Sequence, residues 1–224
     1  MNHSDRIYLT HMPIRIWHWI NAFSIVILCL TGIQIRFPEQ VKIFGTFKAT
    51  IWLHNTAGIT LGVIYLLWAI YYGLWTRTLF RLYFPTVSDL TDGLKKQSVY
   101  YFYTYFKGDP NPHVETPENK FNPVTKLFYV IAMFVMSPLI IVTGILLLNA
   151  GPLRDWIIAV GGIKILIGIH YLVGSALIAF MLLHIYLTTL GTTFFEHYYP
   201  MWHGWEKGHT GEQHGTNGFN PIIR

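Results

Sequence analysis

Four stretches of this sequence contain no Asp, Glu, Lys or Arg: Ile16–Ile35, Ala49–Thr76, Leu127–Leu153 and Ile165–Phe195, with lengths of 20, 28, 27 and 31 residues. Charge is scarce throughout, at 12% of 224 residues, whereas 52% are hydrophobic. Cysteine is scarcer still: Cys29 stands alone, which excludes an internal disulfide. There is no nucleotide-binding glycine loop and no triad-like nucleophile, so no substrate chemistry of those kinds is expected. A soluble fold would need four unusually long apolar helices in a small chain, far from the ordinary helix length.

What is present is hydrophobic length. A helix of about 20 apolar residues crosses a hydrocarbon core of roughly 30 Å, and lipid offers no partner for unpaired backbone groups. The sequence therefore predicts an all-α integral membrane protein, a bundle of four transmembrane helices over about 14–35, 49–76, 124–150 and 163–191. These form one domain, 1–195, followed by a C-terminal tail, 196–224. With four spans, both termini and the 77–126 segment share one side. That side carries eleven Lys and Arg and the other carries five, Arg36, Lys42, Lys48, Arg154 and Lys164. The excess predicts cytoplasmic termini, in a bacterial inner membrane. The basic pI reflects this topology and implies no nucleic acid. No cleavable signal peptide is expected ahead of Ile16.

Between spans II and III, "SDLTDGLKKQSVYYFYTYF" predicts an interfacial helix, with Ser88 as cap, Asp89 in the first turn and an aromatic end on the membrane surface. Pro138 is expected to bend span III. The Gly- and His-rich tail is expected to order only against a partner. A weak internal echo also runs through the chain. "LTGIQI" closes span I and "VTGILL" closes span III, while "HNTAG" opens span II and "HYLVG" opens span IV.

Of eleven histidines, four lie within spans: His18, His54, His170 and His184. The others, His3, His11, His113, His197, His203, His209 and His214, lie in polar segments or at span ends and are expected at the solvated surface. The trio His203, His209 and His214 is a weak candidate for metal binding. An ionisable side chain in a span is costly and marks a functional site. Depth pairs the four. His18 enters span I from the inside and His54 enters span II from the outside. Span IV runs inward, so His170 is outer and His184 inner. Their fourteen-residue interval is about 21 Å of helix and nearly four full turns, so both leave one face. Two imidazoles from facing helices at one depth suit a six-coordinate haem iron, and two such pairs suit two haems b. There is no C-x-x-C-H for covalent attachment. Gly58, Gly62, Gly168 and Gly174 are expected to let a porphyrin approach the backbone.

The segments "PIRIWHWINAFSIVILCLTG", "LHNTAG", "IGIHYLVGSALIAFMLLHIYLTTLG" and "NKFNPVTKLFY" together resemble the prokaryotic cytochrome b561 family, over roughly residues 12–207. These are the membrane subunits of [NiFe]-hydrogenases, formate dehydrogenase and thiosulfate reductase. Ligands drawn one, one and two from spans I, II and IV differ from the two-plus-two pattern of bc1-type cytochrome b. The tail "FFEHYYPMWHGWEKGH" is closer to the thiosulfate reductase type. The resemblance implies a quinone-reactive di-haem anchor whose iron ligands are His18 and His184 for the inner haem and His54 and His170 for the outer. Its partners would be an outward-facing iron–sulfur or multihaem redox subunit with its catalytic subunit, and the quinone pool, as menaquinone or ubiquinone. It also implies a quinone site at Asn122 beside His184, where Pro123 and Val124 depart from the Ala-Gly expected after that Asn.

The mechanism expected is electron transfer across the membrane, in a direction the sequence leaves open. Arg36, Lys48 and Lys164 outside, and Arg15 and Lys126 inside, are candidates to pair with haem propionates, or are simply basic span ends. The alternative is a transporter or assembly factor that uses its histidines for protons or metal ions without haem. That predicts acidic residues within the spans, where there are none. A di-iron oxidase would need tight histidine clusters and carboxylates, which the spans also lack.

Overall fold

The computed structural model describes residues 6–8, 10–113, 121–189 and 198–207. Among them four helices are long and apolar enough to cross a membrane: span I (Met12–Arg36), span II (Phe47–Trp75), span III (Pro123–Leu148) and span IV (Ile163–Thr188). In the most apolar window of each, only 11–22% of residues are buried within the protein. Large side chains such as Phe23, Trp52, Leu74 and Leu172 face outward, and a surface of that kind needs lipid as its solvent. The chain is an all-α membrane bundle. Spans I and II pack as one pair, spans III and IV as another, and span II meets span III between the pairs.

Spans II and III begin at side-chain caps. Thr46 accepts the Ala49 N–H at 3.2 Å and so caps span II. Asn122 accepts the Thr125 N–H at 2.9 Å and Pro123 opens span III, where its missing N–H is harmless. Within span III the backbone leaves the α form for a π-helical stretch, Val130–Met136, before resuming at Ser137. The cause lies at Pro138, which has no N–H to donate and whose ring crowds the carbonyl four residues earlier. The Tyr65 hydroxyl of span II fills part of the gap by donating to the Met133 carbonyl at 2.8 Å. The effect expected of Pro138 therefore takes the form of a widened turn, tied to the neighbouring span.

A helical segment over 87–107, partly α and partly π or 3-10, follows span II, as the sequence predicts. Its cap differs from the expected one. Ser88 makes no capping bond. Instead the Thr86 hydroxyl accepts the Asp89 N–H at 3.2 Å, and Asp89 Oδ2 accepts the Thr86 N–H at 2.9 Å. This reciprocal capping box uses the Thr-x-x-acid spacing and moves the start two positions earlier than a cap at Ser88. Asp89 also holds Lys126 at 3.0 Å, fastening this helix to the foot of span III. Phe102, Phe106 and Tyr103 on its aromatic end are exposed.

The C-terminal segment is more ordered than its composition suggests, at least over 198–207. A short helix, Tyr199–His203, is followed by a strand, Trp205–Lys207, that pairs antiparallel with Arg6–Tyr8. Trp19 Nε1 donates to the Met201 carbonyl at 3.1 Å, and Arg15 donates to the Trp202 carbonyl. The two ends of the chain are thus joined beneath span I. Residues 190–197 and 208–224 lie outside the described residues, and with them His197, His209 and His214 of the tail. So do His3 and Lys120.

Candidate cofactor site

The four span histidines come together in the two pairs that depth predicts. His18 of span I faces His184 of span IV with ring centroids 6.3 Å apart, and His54 of span II faces His170 of span IV, also at 6.3 Å. Two imidazoles bound in line to one metal ion, each through a bond of about 2 Å, hold their centroids roughly 6 Å apart. The separation fits a shared iron and is too long for a direct hydrogen bond between the rings. Among the described residues no three His, Cys, Asp or Glu side chains gather into a metal cage. Each pair brings two imidazoles from different spans to one place, a donor set that the four nitrogens of a porphyrin would complete around an iron.

The outer pair is held from behind. Thr31 Oγ1 lies 2.9 Å from His54 Nδ1, and Thr143 Oγ1 lies 2.9 Å from His170 Nδ1. Each threonine is followed by a glycine that lies beside the ring, where a Cβ would make ordinary van der Waals contact. A Cβ on Gly32 would lie 3.9 Å from His54 Cε1, and one on Gly144 would lie 3.4 Å from His170 Cε1. These are the Thr-Gly steps of "LTGIQI" and "VTGILL", so the internal echo has a physical content. The glycines expected to cradle a porphyrin divide differently. Gly58, Gly62 and Gly174 face side chains of neighbouring spans, Leu28, Ile141 and Ile140, and Gly168 alone of the four opens onto free space.

The inner pair is built otherwise. His184 stacks on Phe180, which in turn meets Phe128 of span III. His18 lies edge-on to Trp19, and its Nδ1 is buried with no hydrogen-bond partner. Fourteen residues beyond His54, where span IV has His184, span II has Trp68. That indole is buried, donates to the Tyr83 hydroxyl at 3.3 Å and packs with Trp17, Tyr72 and Phe134.

Asn122 is buried and engaged at both ends of its amide. Oδ1 caps span III, and Nδ2 donates to the Tyr101 hydroxyl at 3.0 Å. Of the cations considered for propionates, Lys126 is buried and committed to Asp89, which leaves it a structural role. Burial pushes the Asp89 carboxyl up, but the Thr86 N–H, the Lys126 ammonium and the Thr86 hydroxyl outweigh it and hold it below the usual carboxylate range. Arg15 is better placed for an anion, because its Nε is buried without a partner. Arg36 lies over the Phe37 ring at 5.0 Å.

Comparison with known proteins bears on what these pairs hold. A family model described as prokaryotic cytochrome b561 matches residues 10–204. The chain belongs to the prokaryotic cytochrome b561 family. It is 26% identical over 207 residues to a protein of Escherichia coli K12 named as a cytochrome, YdhU, covering 92% of this chain and 77% of that one. A protein of Rhizobium leguminosarum bv. viciae named as a Ni/Fe-hydrogenase B-type cytochrome subunit is 28% identical over 200 residues, 81% of this chain and 80% of its own. A protein of Azospira oryzae named as the YedZ1 subunit of a protein-methionine-sulfoxide reductase is 25% identical over 206 residues, 84% and 93% of the two chains. Membership makes this cytochrome b561 relative a b-type cytochrome of the membrane, an electron carrier whose cofactor is haem b.

Proposed function

We propose that the chain is the di-haem b subunit of a membrane oxidoreductase complex, carrying electrons between an outward-facing redox partner and the quinone pool. The observation that carries this reading is the pair of histidine pairs, at 6.3 Å each, sharing span IV as a common wall. His18 and His184 would hold the inner haem, His54 and His170 the outer. Bound haem supplies a one-electron carrier at each depth.

The protein's own part is to place and insulate. Span IV sets the separation of the two sites by its rigid rise, about 21 Å between His170 and His184. Thr31 and Thr143 orient the outer imidazoles. Phe180 and Trp19 wall the inner ones, and Arg15 has a free buried Nε to offer a propionate. An apolar surround and hydrogen bonds to the second imidazole nitrogen set the potentials. The relatives named as hydrogenase and sulfoxide reductase subunits support a place in a larger complex, with its iron–sulfur or multihaem partner on the outer face. Quinone, menaquinone or ubiquinone, would react near His184 at the inner face, with Asn122 at the mouth of span III. The excess of Lys and Arg on the terminal side supports an inner-membrane protein with cytoplasmic termini. The reading as a haem-free transporter is disfavoured by family membership.

The test is a reduced-minus-oxidised visible spectrum of the purified protein, followed by addition of a short-chain quinol. Bands of b-type haem that the quinol reduces are expected. A protein from haem-replete cells with no such bands would refute the proposal.

A further inference from the structure

We propose that Thr31 and Thr143 are positioning residues that fix both ligands of the outer pair in one tautomer, presenting Nε2 to the iron before haem arrives, a device that the inner pair lacks among the described residues. The inference rests on the di-haem reading above.

A threonine hydroxyl has one hydrogen to give. In Thr31 it goes to the backbone of its own helix: Oγ1 is 2.6 Å from the Ile27 carbonyl and 3.2 Å from that of Leu28. In Thr143 the same two bonds run to Leu139 at 2.7 Å and Ile140 at 3.1 Å. With its hydrogen spent, each oxygen can only accept from the imidazole 2.9 Å away. Nδ1 of His54 and of His170 therefore carries the proton, and the lone pair is left on Nε2. Both threonines are buried, with relative exposures of 0% and 3%, so water does not compete for these bonds. A Cβ at Gly32 or Gly144 would meet its ring only at ordinary contact distance, so the threonines and not the glycines carry the positioning.

Among the described residues the same chemistry is missing on the inner side. His18 Nδ1 is buried without a partner, and His184 has an aromatic ring, Phe180, against it. The outer pair sits where the two halves of the echo correspond, His54 with His170, Thr31 with Thr143. The inner pair sits where they diverge, Trp68 standing in span II for His184 in span IV. An imidazole that donates its Nδ1–H is a stronger electron donor to iron and favours the oxidised metal. The outer haem is thus the more firmly held and, from this term, the lower in potential.

The experiment compares the purified wild type with Thr31→Val, Thr143→Val and Thr143→Ser by potentiometric titration and by haem loss to excess apomyoglobin. His170→Ala identifies the outer component. In each Val variant the outer component alone is expected to shift to higher potential, and its haem affinity to fall about 10–100-fold. Thr143→Ser, which keeps the hydroxyl, is expected to restore both. If the wild type holds two haems and both components titrate unchanged in the Val variants, or Ser behaves like Val, the positioning role is overturned while the di-haem reading stands. A wild type without haem would overturn the reading itself. The two threonines lie on different spans, so a folding failure in one variant leaves the other to decide.

Discussion

His170 and His184 could be placed from sequence because their interval is set by helix geometry: fourteen residues bring two side chains back to one face, at two depths. The pairing with His54 and His18 follows from the direction in which each span runs, and the rings do meet in those pairs. Thr31 and Thr143 were legible only as an echo, because a threonine in an apolar helix usually bonds its own backbone, and here it does that as well as meeting a histidine. Asn122 carries a capping role that the resemblance did not reveal, since a cap is recognised only once the helix start is fixed. Asn122→Ala is expected to cost about 0.5–2 kcal/mol through loss of the cap, read as a lowered thermal midpoint in detergent. Asn122→Ser should recover most of that loss. If quinol oxidation then stays impaired in the Ser variant, Asn122 has a part in the quinone site; if it recovers, the residue is structural.

At the scale of elements, the spans were plain because charge is missing from them, whereas their internal geometry was not. Nothing in a composition shows that the turn before Pro138 opens into a π-helical stretch, or that Tyr65 reaches across to the Met133 carbonyl. Tyr65→Phe removes that donor and is expected to destabilise the pairing of spans II and III by roughly 0.6–1.7 kcal/mol, measurable by the denaturant midpoint in mixed micelles. The helix after span II was visible, but its cap was misplaced at Ser88; the acid three residues after Thr86 is the capping-box spacing, and the reciprocal bonds to Asp89 decide for Thr86. Because the Asp89 carboxyl is depressed in the folded protein, its contribution to docking this helix is fully present above about pH 4. It is lost as the pH falls through the lower, folded value. Protection factors over 87–107, taken against the intrinsic exchange rate at each pH, should therefore fall on acidification, and Asp89→Asn should show low protection at every pH. Equal, pH-independent protection in the two proteins would contradict this. Gly93 marks the same contact: a Cβ there would lie 2.7 Å from Pro123 Cγ, so Gly93→Ala is expected to loosen the helix from span III.

For the whole molecule, the echo describes two helix pairs that match around His54 and His170 and differ around His18 and His184. Span IV keeps a histidine at the inner depth. Span II has Trp68 there, buried with Tyr72 and Tyr83 in an aromatic cluster. Sequence alone gave the count of fourteen but not the cluster, because Tyr83 reaches it from the short helix Leu79–Tyr83 after span II. The joined chain ends were hidden too: a three-residue ladder leaves almost no pattern. Gly204 holds that junction, with φ at +82° and room for no Cβ, which would lie 2.5 Å from Tyr8 Cε2 and 2.8 Å from the Thr10 carbonyl. Gly204→Val should release the junction, separating Trp19 from Trp202, whose rings now lie 4.6 Å apart. The expected sign is a changed tryptophan emission together with faster proteolysis after Arg6 or Lys207.

The central claim is that four histidines hold two haems in two separate sites. Its most direct measurement is the haem-to-chain ratio by pyridine haemochrome, in the wild type and in His170→Ala and His184→Ala. Two haems b are expected in the wild type and one in each variant, with different components remaining in the two. A ratio of zero in the wild type, or one that neither substitution changes, would contradict it.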